Sequence, residues 1–167
     1  MRKPEIGTTV VVDVPATTAN LGPGFDCLGA ALDLNNQFQL KVLEGGAERF
    51  ELIIESKEGS HLRGGPDNLV YRAAQRVWRE VGMQPIALEA RVQLAVPPAR
   101  GMGSSATAIV AGLMGANALA GEALGKEKLL ELAIDIEGHP DNVVPSLLGG
   151  LCLTAQAASR RWRVVRC

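Results

Sequence analysis

Two histidines and three cysteines are all the imidazole and thiol metal ligands that this 167-residue sequence offers. Cys27, Cys152 and Cys167 are odd in number and widely spaced, which speaks against a disulfide framework and for reduced thiols in a cytoplasmic setting. With only His61 and His139 to join them, a structural zinc site is not expected. An excess of charge is missing too. The 17 Lys and Arg against 18 Asp and Glu leave a formal net charge of −1, so no global field draws the chain to nucleic acid or to an anionic membrane. No apolar run reaches transmembrane length, and Met1-Arg2-Lys3-Pro4-Glu5 leads into a strand instead of a signal-peptide core. What remains suits a folded soluble protein: 47% hydrophobic, 21% charged, and chain enough for one or at most two compact units.

The pattern along the chain is mixed and without internal repeat. Strands are expected over residues 8–14, 26–34 and 37–43, the last with alternating Phe38, Leu40 and Val42. A further strand over 50–54 is expected to pair with a neighbour across the Gly45-Gly46 turn. Residues 58–66 read as a glycine-rich loop. Asp67 or Asn68 then caps a helix over 69–81, closed by Gly82. Val92, Leu94 and Val96 form a strand, and Ala106, Ile109, Val110, Leu113 and Asn117 keep helical spacing to near Gly121. A helix over 126–136 stops at Gly138. A short helical piece after Pro140 runs to Gly149-Gly150, and strands follow over 151–154 and 162–165. Strands crowd the beginning and helices the middle, which favours an α+β sandwich, a mixed sheet packed against helices, over a doubly wound parallel sheet.

Chemistry concentrates in Val96-Pro97-Pro98-Ala99-Arg100-Gly101-Met102-Gly103-Ser104-Ser105-Ala106-Thr107. Two glycines and two serines stand where an aliphatic run gives way to a helical one. Glycine lets the backbone turn tightly and come close to a ligand. The serine hydroxyls lie beside unpaired helix N–H groups, whose partial positive charge favours anions. The segment therefore reads as a phosphate cradle, or as a glycine turn with Ser104 capping a helix. It is not a Walker A loop, because no Lys follows the second glycine.

Together with two other segments, this stretch resembles the GHMP kinases, which phosphorylate small molecules with ATP. Val14-Pro15-Ala16-Thr17-Thr18-Ala19-Asn20-Leu21-Gly22-Pro23-Gly24-Phe25-Asp26-Cys27-Leu28-Gly29 looks like the first motif of the homoserine kinase branch, and Glu137-Gly138-His139-Pro140-Asp141-Asn142-Val143 is similar to its substrate-side loop. The three motifs stand in the family's order, and the resemblance runs over essentially the whole chain.

The resemblance implies the ribosomal protein S5 domain 2-like fold, with residues 1–155 as the ATP-binding domain and 156–167 as the start of a C-terminal α/β half that is largely absent. It implies ATP and Mg²⁺ as cofactors and L-homoserine as substrate, phosphorylated on its side-chain hydroxyl. Another GHMP small-molecule kinase, of mevalonate or shikimate type, and a non-catalytic nucleotide-binding fragment are the alternatives. By resemblance the nucleotide lies on Pro98, Ala99, Arg100, Gly101, Met102, Gly103, Ser104, Ser105, Ala106 and Thr107. Asn68 either touches the adenine or only caps its helix. Ser105, with Ser104 as the alternative, and Glu137 are the implied Mg²⁺ ligands, a hydroxyl and a carboxylate suited to a hard cation.

Homoserine is a zwitterion, so its ammonium calls for an acid and its carboxylate for polar or cationic groups. The resemblance implies Asn20 and Asp26 for this substrate, with His139 and Asn142 nearby. Without the family, Asn20-Leu21-Gly22-Pro23-Gly24 is a plain turn with Asp26 a surface residue after it. Asp141 lies at the position of the mevalonate kinase base, but the lysine that partners that base has no counterpart in Pro15-Ala16-Thr17-Thr18. Direct proton loss to the γ-phosphate is therefore the alternative to an Asp141 base. Family members are roughly twice as long, and their second half contributes arginines to the substrate carboxylate. Arg160, Arg161 and Arg163 read instead as a solvated strand edge. An apolar face left uncovered by that half predicts self-association, in the simplest case a homodimer.

Overall fold

The computed structural model describes residues 3–56, 62–95, 100–159 and 161–167. Pro98 and Ala99 of the expected cradle, Val96 of the strand before it, residues 58–61 of the loop expected over 58–66, His61 among them, and Arg160 lie outside the described residues. Six strands and four helices form among those described: β1 (Thr9–Ala19), β2 (Leu28–Val42), β3 (Phe50–Ile54), α1 (Leu69–Glu80), β4 (Leu88–Gln93), α2 (Ser104–Leu119), α3 (Lys126–Glu137), α4 (Pro140–Leu148), β5 (Leu151–Gln156) and β6 (Trp162–Arg166). The strands make one mixed sheet in the order β3-β4-β2-β5-β6, with β1 along the opposite edge of β2. This is the α+β arrangement expected.

The expected strands at 26–34 and 37–43 are one strand. β2 runs unbroken for 15 residues and pairs with β1 along most of its length, with β4 at its C-terminal end and β5 at its N-terminal end. Asn36, the residue at the expected break, is buried and tied down from outside the strand: its Nδ2 donates to Thr107 Oγ1 at 3.1 Å and its Oδ1 accepts from Ala95 N at 2.9 Å. β1 likewise continues past Val14 to Ala19, with a register shift between Pro15 and Thr17. An edge strand tolerates proline because one row of its N–H groups has no ladder partner to lose.

The hairpin expected across Gly45-Gly46 does not form. β3 pairs in parallel with β4, from Phe50 opposite Leu88 to Ile54 opposite Val92. Parallel neighbours need a crossover, and α1 supplies it. The face of α1 that packs on this unit buries Tyr71, Ala74, Val77 and Trp78. Tyr71 stacks on Phe50 at 5.2 Å between ring centroids and meets Trp78 edge-on at 6.1 Å. Its hydroxyl donates to Ile86 O at 3.0 Å, on the segment entering β4. Trp78 is fully buried, so Trp78→Ala should cost about 3–5 kcal/mol of stability, read as a lowered midpoint in urea unfolding.

Period-two burial places Val12, Val14, Phe38, Leu40, Val42, Ala90 and Val92 on the helix-covered face of the sheet. Val11, Leu34, Leu151, Leu153 and Val165 are exposed. At the centre of the helical layer lies α2, rich in Ala and Gly, which packs against α1, α3, α4 and β1. Its small side chains let those neighbours approach from every side, and it is buried nearly all round. Cys27, Cys152 and Cys167 are free thiols, and burial pushes the Cys152 thiol above its usual pKa. Among the described residues no helix is long and apolar enough to cross a membrane.

Candidate functional site

The start of α2 is built to stay open. Its N-cap is Gly103, in the left-handed region at φ 66°, and no side chain caps it. Ser104 is the first residue inside the helix, so the reading of Ser104 as a mere cap does not hold. The first helical bond runs from Thr107 N to Gly103 O at 2.9 Å, which leaves the amides of the first turn directed outward with the positive end of the dipole behind them. A Cβ on Gly103 would collide with Thr17 Oγ1, so glycine is required there for its φ and for its lack of bulk. Thr17 N donates to Met102 O at 3.2 Å, binding the loop to β1.

Facing this helix start is the end of α3. Gly138, at φ 94°, terminates α3 and donates its N–H to Ile134 O at 2.8 Å. Glu137 is thus the last helical residue, and Ser105 Oγ donates to its Oε1 at 2.6 Å. A carboxylate at the end of its own helix is poorly placed. Here it gains from the positive end of α2, which offsets that cost.

His139 follows in extended backbone as the N-cap of α4, with Pro140 at the first helical position, where its missing N–H costs nothing. His139 Nδ1 lies 2.5 Å from Asp141 Oδ1, the same oxygen that accepts from Asn142 Nδ2 at 3.2 Å. Asn142 Oδ1 in turn accepts from Thr17 Oγ1 at 2.8 Å. β2 passes close behind, because Gly29 has no side chain: a Cβ there would overlap the Asp141 carbonyl oxygen.

These parts line one cavity of about 760 Å³, within the range of roughly 300–1,000 Å³ common for small-molecule sites. Its lining is apolar at Phe38, Leu52, Ile54, Val70, Val92 and Leu94 and polar at Asn20, Ser104, Ser105, Glu137, His139 and Asn142. Of the expected nucleotide contacts, Gly101, Met102, Gly103, Ser104, Ser105, Thr107 and Asn68 line it, whereas Arg100 and Ala106 do not. Ala106 is buried in the core and Arg100 is exposed. Asn68 does cap α1, accepting from Val70 N at 2.9 Å, and its Nδ2 donates to Arg63 O at 2.8 Å. Asp67 is not the cap.

Of the residues expected to meet the substrate, Asn20, His139 and Asn142 line the cavity and Asp26 does not. Asp26 is exposed, at φ 56°, and its N–H donates to Asn20 Oδ1 at 3.1 Å, so it orders the Asn20 turn through its backbone. Asp141 does not line the cavity either; it is 2% exposed and sits behind His139 and Asn142. Thr17 and the apolar lining were not singled out in the sequence. Nothing in a threonine within a β-branched run marks it as the brace of a loop some 85 residues away. The oxygen donors of Ser105 and Glu137 suit a hard cation such as Mg²⁺, which binds through few protein ligands and keeps its waters.

Comparison with known proteins bears on the same region. Residues 68–150 match the GHMP kinases N terminal domain. The homoserine kinase of Synechococcus sp. (strain RCC307) is 99% identical over all 167 residues, which cover 53% of that protein. That of Prochlorococcus marinus (strain NATL2A) is 80% identical over the same span, again 53% of its length. The chain thus spans about half the length of the curated relatives it matches. A homoserine kinase structure from Cytophaga hutchinsonii aligns with TM-score 0.81 at 28% identity, over 99% of this chain and 54% of that one. The L. major mevalonate kinase shares the fold, with TM-score 0.71 at 17% identity, over 99% of this chain and 55% of that one. The matched span carries every helix that walls the cavity, and with it the chain carries a GHMP kinase N-terminal domain.

Proposed function

We propose that this chain is the nucleotide-binding part of a kinase that moves the γ-phosphoryl group of ATP to the side-chain hydroxyl of L-homoserine, giving O-phospho-L-homoserine for threonine biosynthesis in the cytoplasm. The observation that carries this reading is the lining of one cavity, which brings together apolar side chains, an uncapped helix start and a polar cluster of Asn20, His139 and Asn142. The names of the highly identical relatives point to the same substrate.

In this reading the apolar lining takes the adenine, and the amides from Gly101 onward receive the β- and γ-phosphates. Phosphoryl transfer asks mainly for alignment and charge neutralisation, and both are properties of this loop. Ser105 and Glu137 would hold Mg²⁺, which neutralises charge on the phosphate oxygens. Asn20, His139 and Asn142 orient the amino acid so that its hydroxyl faces the nucleotide. Residues 1–155 form the nucleotide-binding unit, and residues 156–167 lead into the second half found in the longer relatives.

ADP release from Mg-ATP tests the reading, measured with this chain and with the chain extended to the length of its Synechococcus relative. L-homoserine should raise the rate of the extended form at least about 100-fold over ATP alone, since hydrolysis lacks an aligned acceptor. Equal stimulation by mevalonate or shikimate, or none by homoserine, would overturn the substrate assignment.

A further inference from the structure

Asp141 is the buried carboxylate that the family resemblance offers as a base, and its surroundings assign it different work. At 2% exposure it does not line the cavity, while both residues it touches do. Its Oδ1 is the shared acceptor for His139 Nδ1 and Asn142 Nδ2. A carboxylate only accepts, so the proton between it and His139 belongs to Nδ1. With Nδ1 occupied in this way, the neutral ring keeps Nε2, on its far edge, as a hydrogen-bond acceptor. The side chain of His139 is 44% exposed and lines the cavity, so that far edge is the accessible one.

Asn142 is set by the same oxygen. Donation of its Nδ2 to Asp141 turns its Oδ1 toward Thr17, whose hydroxyl donates to it. Thr17 also holds the glycine loop through Met102. One carboxylate oxygen therefore fixes the orientation of two cavity-lining side chains, and through Thr17 it is joined to the nucleotide loop.

We infer that Asp141 is a positioning residue: it locks His139 in the Nδ1–H tautomer, so that Nε2 presents an acceptor to a donor on the incoming substrate, its hydroxyl or its ammonium. This rests on the proposed amino-alcohol substrate for the identity of the donor, but the tautomer itself is a property of the chain. The inference also fits the buried site of Asp141, which a base acting directly on the hydroxyl would have to leave.

The test uses D141N and D141L in an H61Q background, which leaves a single imidazole. Nitrogen-15 spectra of the imidazole should show Nδ1 protonated and Nε2 bare in the parent and in D141N, whose amide oxygen still accepts. D141L should shift the ring toward the Nε2–H form. In the extended chain, D141L should raise the KM for L-homoserine about tenfold or more with the KM for MgATP within about twofold, and D141N should restore most of the loss. A D141L protein that kept the parent tautomer would overturn the inference, as would equal losses toward both substrates. If the parent showed no homoserine-dependent turnover, the proposed substrate would fail, and the tautomer comparison would still decide the role of Asp141.

Discussion

Glu137→Gln should leave a folded protein whose Mg²⁺-dependent turnover has fallen by about 100-fold or more, the scale on which a single charge-stabilising group acts at a transition state. The substitution keeps shape and keeps an acceptor for Ser105 Oγ, which now donates to Glu137 Oε1 at 2.6 Å. What it removes is the negative charge at the junction of α2 and α3, the charge that a hard cation needs. The unfolding midpoint should hold steady, because the position is only half-buried, at a helix end where its own dipole opposes it. Steady-state kinetics of the extended chain across a Mg²⁺ titration separates the outcomes. Full turnover at ordinary Mg²⁺ would remove Glu137 from the metal site. A collapsed unfolding midpoint would mean that the carboxylate serves the fold.

Gly103→Ala should abolish measurable nucleotide binding under conditions where Gly101→Ala only weakens it. Both glycines lie at positive φ, 70° for Gly101 and 66° for Gly103, so either alanine pays backbone strain of about 1–2 kcal/mol. The two sites differ in space. A Cβ on Gly101 meets nothing within 4 Å, whereas one on Gly103 strikes Thr17 Oγ1. The second substitution must therefore displace either the loop or the Thr17–Asn142 brace, and with it the alignment of the first-turn amides. Titration calorimetry with ATP, alongside urea unfolding, reads the two contributions apart. Equal affinities for the two variants would show that the close approach to Thr17 has no bearing on the nucleotide.

Local chemistry was readable from the sequence at several helix ends marked by glycine or by a capping side chain. Gly138 ends α3, Asn68 begins α1, and the glycine-serine junction opens α2, each as its residues imply. The sheet was less legible. Asn35-Asn36 looks like a break only until Asn36 is seen bonded to Thr107 and Ala95, and those partners lie 59 and 71 residues away. Gly45-Gly46 resembles a hairpin turn, but pairing is decided by which apolar edge β3 finds, and α1 carries it to β4. In the site, residue types were informative and side-chain directions were not. Asp26 and Asp141 are both acids within motifs, yet the backbone turns one to solvent and buries the other. That choice depends on Gly29 admitting α4 against β2, a contact between segments more than 100 residues apart.

The enclosure of α2 has a consequence for how the protein breathes. Local opening is easiest where few neighbours must be released, and binding loops usually belong to that labile class. Here the anion-facing amides are the first turn of an element surrounded by α1, α3, α4 and β1. Those amides are unpaired and open to solvent, but the hydrogen-bonded turns behind them are exposed only when the surrounding elements come apart. A ligand held at this helix start is thus expected to favour the folded state as a whole, and to slow exchange across the helical layer as well as at the loop it touches.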